Sequence, residues 1–184
     1  MIDTNLLGII QSFIYVFIIL GLSTLLQKRG LSTEGSRKLV HIGVSNWWLI
    51  AMACFNNVVW ASVVPAVFIV LNAISYRKDL FSAMERHEGK GDLGTVYYPI
   101  SLLVLTILCF GGYSPPYAGA LGVFIMGYGD GLAAVIGKRY GIMAYRIFGN
   151  TKSYVGSLTM LVVSFVVCTV ILWAATPVFL GTIL

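Results

Sequence analysis

An aspartate within an apolar stretch is the residue whose placement most strongly indicates chemistry in this chain. Asp130 follows Gly127, Tyr128 and Gly129 and precedes a further apolar run. A carboxylate at the centre of a bilayer costs about 2.5–3.5 kcal/mol on insertion scales, so it is seldom kept without a partner, a cation or a water-filled cavity. A functional role for Asp130 is therefore favoured over a purely structural salt bridge.

The glycines around this aspartate have a second interpretation. Small residues four apart let helix backbones approach closely, and such pairs occur at Gly127/Gly131, Ala133/Gly137 and Gly137/Gly141. Packing explains these glycines about as well as chemistry does. They do not by themselves indicate a binding site.

A second polar cluster precedes the last apolar segment. Lys152 and Ser153 lie just before Gly156, beside a predicted helix start. Free backbone N–H groups and the positive end of the helix dipole favour a phosphate there, although Ser153 or Ser157 could instead be a simple N-cap. The Walker A motif is absent, because Thr151 occupies the place of the glycine that precedes its lysine.

A third cluster consists of Glu34, Arg37, Lys38 and His41. On a helix, Arg37 and His41 share a face, as do Glu34 and Lys38, because the members of each pair are four residues apart. The His41 imidazole could accept a proton near neutral pH. A lone histidine at the start of an apolar run also fits interfacial packing, so both interpretations remain open.

The middle of the chain contributes one more carboxylate. Asp92 precedes Gly94 and Thr95, and it lies on the same predicted side of the membrane as the other clusters. It is a candidate second metal ligand beside Asp130. Gly94 and Thr95 either contact the substrate or form only a turn and a helix cap.

The composition determines which kind of molecule must position these residues. The chain has 184 residues, of which 58% are hydrophobic and 10% charged, against about 45–50% and 25% in soluble domains. This composition therefore argues against a water-soluble globule. Three cysteines without CxxC spacing also argue against a disulfide framework or a zinc site.

Apolar windows between the charges predict an all-α, polytopic integral membrane protein with about six transmembrane helices. We expect one membrane domain over residues 1–184, with helices at residues 6–26, 40–55, 58–75, 96–110, 117–136 and 156–176.

All twelve lysines and arginines lie in the segments after the first, third and fifth predicted helices. Basic residues near short loops stay on the cytoplasmic side during insertion. We therefore expect both termini outside and three cytoplasmic loops that carry the polar clusters, in a bacterial or archaeal cell membrane. A basic face of this kind attracts anionic headgroups or a soluble polyanion.

Taken together, these motifs resemble the family of dolichol kinase, phytol kinase and CTP-dependent diacylglycerol kinase. The resemblance covers about two thirds of the chain and rests on four segments in order: Glu34 to His41, Gly94 to Pro99, Gly129 to Gly141, and Lys152 to Ser157. It implies transfer of the γ-phosphoryl group of CTP to the hydroxyl of a membrane lipid, either a diacylglycerol or an isoprenoid alcohol, with Mg²⁺ bridging the nucleotide phosphates.

The resemblance also implies roles for individual residues. Asp130, Lys152 and His41 are the expected catalytic residues, and Asp130 with Asp92 the expected metal ligands. The expected nucleotide- and phosphate-binding residues are Gly129, Gly137, Lys138, Arg139, Gly141, Ser153, Gly156, Arg37 and Lys38. The expected partners are the lipid and CTP, with no nucleic acid and a possible homo-oligomer.

Two alternatives remain. Phosphatidate cytidylyltransferases share the aspartate-bearing helix but have charged signatures near the C-terminus, whereas no charged residue follows Lys152 here, which favours a kinase. A small transporter with Asp130 as its charge site often has repeated halves, and no repeat is evident.

Overall fold

The computed structural model describes residues 3–78, 94–147 and 150–181, and α-helices dominate them. This confirms the predicted all-α class. The α-helices of this part of the chain are α1 (Thr4–Lys28), α2 (Thr33–Ser45), α3 (Trp47–Cys54), α4 (Val58–Lys78), α5 (Gly94–Phe110), α6 (Pro116–Phe124), α7 (Asp130–Tyr140) and α8 (Tyr154–Gly181).

Three helical segments are long and apolar enough to cross a membrane by length and composition. They are Thr4–Lys28, Pro116–Tyr140 and Tyr154–Thr176. Two shorter apolar helices cover Val58–Ile74 and Tyr97–Phe110. These helices indicate a membrane protein, whereas the expected total of six spans remains a prediction.

Four of the predicted helices, at residues 6–26, 58–75, 96–110 and 156–176, lie within α1, α4, α5 and α8. The helix predicted at residues 40–55 differs, because it consists of α2 and α3, with α2 starting seven residues earlier. The break occurs at Asn46, whose side-chain amide donates to the carbonyls of Ile42 (3.0 Å) and Gly43 (3.4 Å). The polar start of α2 is helical because Ser32 Oγ caps it, accepting from the Gly35 N–H at 3.1 Å.

The helix predicted at residues 117–136 is also composite. A π-helical turn, Ile125–Gly129, joins α6 to α7 and ends directly before Asp130. Such turns are rare inside helices and often mark functional sites. The break in regular geometry therefore coincides with the charged residue.

Helices α1 and α2 pack as an antiparallel pair joined by polar contacts. Gly30, with a φ of 103°, makes the turn between them at little steric cost. Along the pair, the buried Ser23 and Ser36 hydroxyls are 2.6 Å apart, and the Tyr15 hydroxyl donates to the Gly43 carbonyl at 2.7 Å. These links fix the register of α2, which carries the third polar cluster.

Two short strands precede α8, in a segment that the sequence analysis treated as a loop. β1 (Ala144–Ile147) and β2 (Asn150–Ser153) pair antiparallel, with Tyr145 opposite Lys152. The Tyr145 and Tyr154 rings pack at a centroid distance of 5.0 Å. The hairpin thus fixes Lys152 relative to the end of α7 and the start of α8.

Candidate active site

The helix that bears Asp130 packs directly on α2 because two glycines leave room for it. A Cβ atom at Gly127 would lie 2.4 Å from Ser45 Cβ, and one at Gly131 would lie 2.6 Å from Ile42 Cγ1. Real Cβ atoms essentially never come this close. The small residues predicted to favour helix packing therefore bring Asp130, which lies between them, to the surface of α2.

Asp130 forms an ion pair with a lysine 92 positions away in the sequence. Lys38 Nζ donates to Asp130 Oδ2, and the Lys38 side chain is only 7% exposed, whereas that of Asp130 is 49% exposed. The lysine is therefore neutralised inside the protein, and part of the carboxylate remains accessible.

Arg37, the other cation of this cluster, pairs with Glu34. Its Nη2 atom donates to both carboxylate oxygens, at 2.8 and 2.9 Å, and its side chain is 9% exposed. The predicted nucleotide-binding roles of Arg37 and Lys38 remain predictions. In this structure, both residues already neutralise carboxylates.

His41 lies one turn beyond Arg37 on α2, with its ring 4.5 Å from that of Tyr98 on α5. The Tyr98 hydroxyl donates to the His41 carbonyl at 3.0 Å. Lys38 and Asp130 are near enough to act electrostatically on the imidazole, and the same residue lines an apolar cavity. His41 therefore lies between the charged cluster and the apolar interior.

Lys152 reaches the same region from the hairpin. It is exposed on β2, and it lies near enough to Asp130 for its charge to act on the carboxylate. Two further predicted phosphate ligands, Lys138 and Arg139, are exposed in the last turn of α7. By helix rise, Lys138 is about 12 Å along the axis from Asp130.

Ser153 fills the structural role that the sequence left open. Its Oγ accepts from the Gly156 N–H at 3.1 Å and donates to the Gly137 carbonyl at 3.2 Å. The N-cap alternative is thus confirmed for Ser153, while the Ser157 hydroxyl donates to the Ser153 carbonyl. The role of Ser153 in phosphate binding remains a prediction.

The remaining predicted glycines lie along the contact of α8 and the segment before it with α7 and the π-helical turn. A Cβ atom at Gly137 would be 3.0 Å from Gly156 Cα, and one at Gly141 would be 2.6 Å from Ser153 Cβ. One at Gly129 would be 2.8 Å from a methionine sulfur of α8. Close helix packing accounts for these glycines. Their contact with a nucleotide remains a prediction.

The predicted residues of the middle loop are less well placed. Asp92 lies outside the described residues. Gly94 and Thr95 form the first turn of α5, which begins at Gly94. Within the described part of the chain, no three His, Cys, Asp or Glu side chains come together as a metal site.

An apolar cavity that the sequence did not predict lies beside this cluster. It is a space of about 550 Å³ between α1, α2, α3, α4 and α5, part of which is open to the outside. Its lining residues are Val16, Leu20, Val40, His41, Val44, Trp47, Val64, Pro65, Phe68, Asn72, Tyr98, Pro99 and Leu102. The sequence feature that could have indicated this cavity is Asn72, a polar residue in the otherwise apolar α4, which is buried.

Comparison with known proteins identifies several relatives. The chain is 36% identical over 155 residues to a phytol kinase of Synechocystis sp., a match that covers 80% of this chain and 63% of that protein. It is 31% identical over 162 residues to the dolichol kinase of Saccharomyces cerevisiae, covering 82% of this chain and 30% of that protein. A chloroplastic farnesol kinase of Arabidopsis thaliana is 28% identical over 164 residues, covering 83% and 52%.

The chain thus spans less than two thirds of the length of these relatives. No protein-family model and no solved structure matches it. The matched proteins agree with the resemblance that the four segments predicted, and a cytidylyltransferase is not favoured.

Proposed function

Since the chain is homologous to phytol, dolichol and farnesol kinases, we propose that it is a phosphotransferase acting on a membrane lipid alcohol. In this proposal the donor is CTP, and transfer takes place at the cytoplasmic face. The observation that carries the proposal is that the partly accessible Asp130 carboxylate lies within electrostatic range of the exposed Lys152 and of His41, which also lines an apolar cavity.

The proposed step forms one bond and breaks one. The oxygen of the lipid hydroxyl bonds to the γ-phosphorus of CTP, the bond from that phosphorus to the β–γ bridging oxygen breaks, and CDP leaves. His41 accepts the hydroxyl proton, since its ring borders both the charged cluster and the cavity. Phosphoryl transfer otherwise needs mainly positioning and neutralisation of charge.

Basic residues would neutralise the nucleotide. Lys152 is exposed beside Asp130, and the exposed Lys138 and Arg139 extend the positive surface along the end of α7. Cations at the γ-phosphate stabilise the charge that develops in the transition state. In this proposal Lys152 contacts the γ-phosphate, and the two α7 residues contact the rest of the triphosphate.

The residues present fit a magnesium ion that arrives with the nucleotide. Mg²⁺ commonly binds one or two carboxylates together with substrate phosphates, and it keeps several waters. Asp130 offers one partly exposed carboxylate, and the described residues form no larger carboxylate cluster. Asp130 would hold the ion, which when bound neutralises phosphate charge; Asp92 remains the proposed second ligand.

The location is part of the same proposal. Charge placement favours cytoplasmic basic loops and outward termini. The expected bacterial or archaeal cell membrane stays a prediction, because several of the relatives are plant chloroplastic proteins. A homo-oligomer also stays a prediction.

A direct assay tests the proposal. Purified protein is incubated with γ-labelled CTP or ATP, Mg²⁺ and, in separate reactions, phytol, farnesol, a polyprenol, diacylglycerol or phosphatidate. We expect label to move from CTP to an alcohol. Release of pyrophosphate with phosphatidate alone would establish the cytidylyltransferase alternative and contradict the kinase.

A further inference from the structure

The apolar cavity has one polar end. Its polar lining residues are His41, which borders the charged cluster, Asn72 and Tyr98, whereas Trp47, Val64 and Leu102 belong, like the Tyr98 ring, to the main hydrophobic core. By helix rise, Val64 is about 12 Å along α4 from Asn72. The cavity therefore has lining residues spread over about two turns of α4.

The polar end adjoins the proposed reaction site. The His41 ring contributes to the cavity wall, and Asp130, Lys38 and Arg37 all lie near enough to act on it electrostatically. A hydroxyl at this end would lie beside His41. The hydrocarbon attached to it would extend away from the charges toward Trp47.

The walls suit hydrocarbon. Ten of the thirteen lining residues are Val, Leu, Trp, Pro or Phe, and Val64, Trp47 and Leu102 are at most 4% exposed. Pro65 and Pro99 face the cavity from α4 and α5, where each removes a backbone donor and loosens the helix.

From these features we infer that the cavity binds the hydrocarbon chain of a single-chain isoprenoid alcohol, with its hydroxyl at His41. This inference rests on the proposed function and adds the location and class of the acceptor. The alcohols named in the relatives, phytol, farnesol and dolichol, are all single-chain.

A diacylglycerol fits this cavity poorly. Its two ester carbonyls would enter with the chains, and burying a carbonyl without a hydrogen-bond donor is unfavourable. The Tyr98 hydroxyl already donates to the His41 carbonyl. The lining therefore favours an alcohol whose only polar group is its terminal hydroxyl.

Photolabelling locates the acceptor without requiring turnover. Purified protein is irradiated with a farnesol analogue that carries a diazirine near the end of its chain, in the absence of nucleotide, and labelled residues are mapped by mass spectrometry. We expect label near Trp47, Val64 and Leu102, displaced by excess phytol but not by diacylglycerol. Label on the outer face of α8, or equal displacement by diacylglycerol, would overturn the inference.

Substitutions that fill the cavity provide a second test of the inference. Val64→Phe should lower labelling at least several-fold, and Leu102→Phe serves if that variant does not fold. The matched control is Val70→Phe on the same helix, whose side chain is 57% exposed and which should label like the wild type. Equal labelling of all three would overturn the inference.

Failure of the inference and failure of the proposed function are distinguishable. If the cavity is labelled but no alcohol is phosphorylated, the proposed function fails and the cavity assignment stands. If an alcohol is phosphorylated while label lies elsewhere, the cavity assignment fails alone.

Discussion

At the scale of single residues, the candidate site contains an ion pair whose two members differ in solvent exposure. Lys38 is almost fully buried, whereas half of the Asp130 side chain is accessible. A buried ammonium requires its counter-charge, because breaking such a pair leaves an uncompensated charge in a medium of low dielectric constant. The lysine therefore fixes the carboxylate in place and leaves one side of it to meet a ligand.

Replacement of Lys152 tests the proposed phosphate contact. We predict that Lys152→Ala raises the KM for CTP by about tenfold or more, because a hydrogen bond to a charged group contributes about 1.5–3 kcal/mol. The measurement is initial-rate kinetics over a CTP series at saturating acceptor alcohol.

The control for this variant is another exposed lysine. Lys28 lies in the last turn of α1 and has no assigned role, so Lys28→Ala should retain the wild-type KM. An equal rise in both variants would indicate a general loss of positive charge and not a contact made by Lys152.

At the scale of helices, glycines determine how closely the site elements approach. Gly127 and Gly131 leave room for α2 beside the helix that bears Asp130. Gly137 and Gly156 allow α7 and α8 to pack closely. The carboxylate on α7 is thereby held between the buried lysine of α2 and the hairpin lysine before α8. The packing and chemical interpretations of these glycines are thus compatible.

Substitution of Gly137 tests this close approach. Its new Cβ would lie 2.8 Å from Ser153 Oγ and 3.0 Å from Gly156 Cα, so we predict that Gly137→Ala destabilises the protein by about 1–3 kcal/mol. Thermal unfolding in detergent measures the change.

The chain offers a matched control for this variant on α1. A Cβ atom at Gly21 would meet nothing within 4 Å, so Gly21→Ala should be neutral or stabilising by about 0.5–1 kcal/mol through helix propensity. If Gly137→Ala were as well tolerated, close contact between α7 and α8 would not explain the glycine.

The sequence predicted the helices well because apolar length and charge are local properties. The clusters around Asp130, Lys152 and His41 were recognised for the same reason. The pairing of Lys38 with Asp130 was not predicted, since it joins residues 92 positions apart and local spacing contains no such information. The cavity likewise depends on tertiary packing, because its lining residues come from five helices.

At the scale of the whole molecule, charge and apolar surface are segregated. Large apolar side chains cover the outside of the helices, including Phe165 at 72% and Trp173 at 78% exposure on α8. Such surface is stable only against lipid or another apolar partner. Lys28, Lys138 and Lys152, in contrast, lie at helix ends or in the hairpin.

The proposed orientation predicts which sites face outward. In a variant without native cysteines, Tyr113→Cys should react with a membrane-impermeant maleimide on intact cells, whereas Arg139→Cys should react only after permeabilisation. Tyr113 is 81% exposed in the connection between α5 and α6. The reverse pattern would place the basic loops outside and remove the CTP site from the cytoplasm.

The central claim is that Asp130 holds a divalent cation with the nucleotide, and Asp130→Asn tests it most directly. The measurement is phosphorylation of the acceptor alcohol over a Mg²⁺ series, with unfolding followed in parallel and Asp3→Asn as control, because asparagine caps α1 as well as aspartate does. We predict that Asp130→Asn lowers kcat by about a hundredfold or more in folded protein and alters its Mg²⁺ dependence, while Asp3→Asn does neither. Unchanged turnover and unchanged Mg²⁺ dependence in Asp130→Asn would contradict the account.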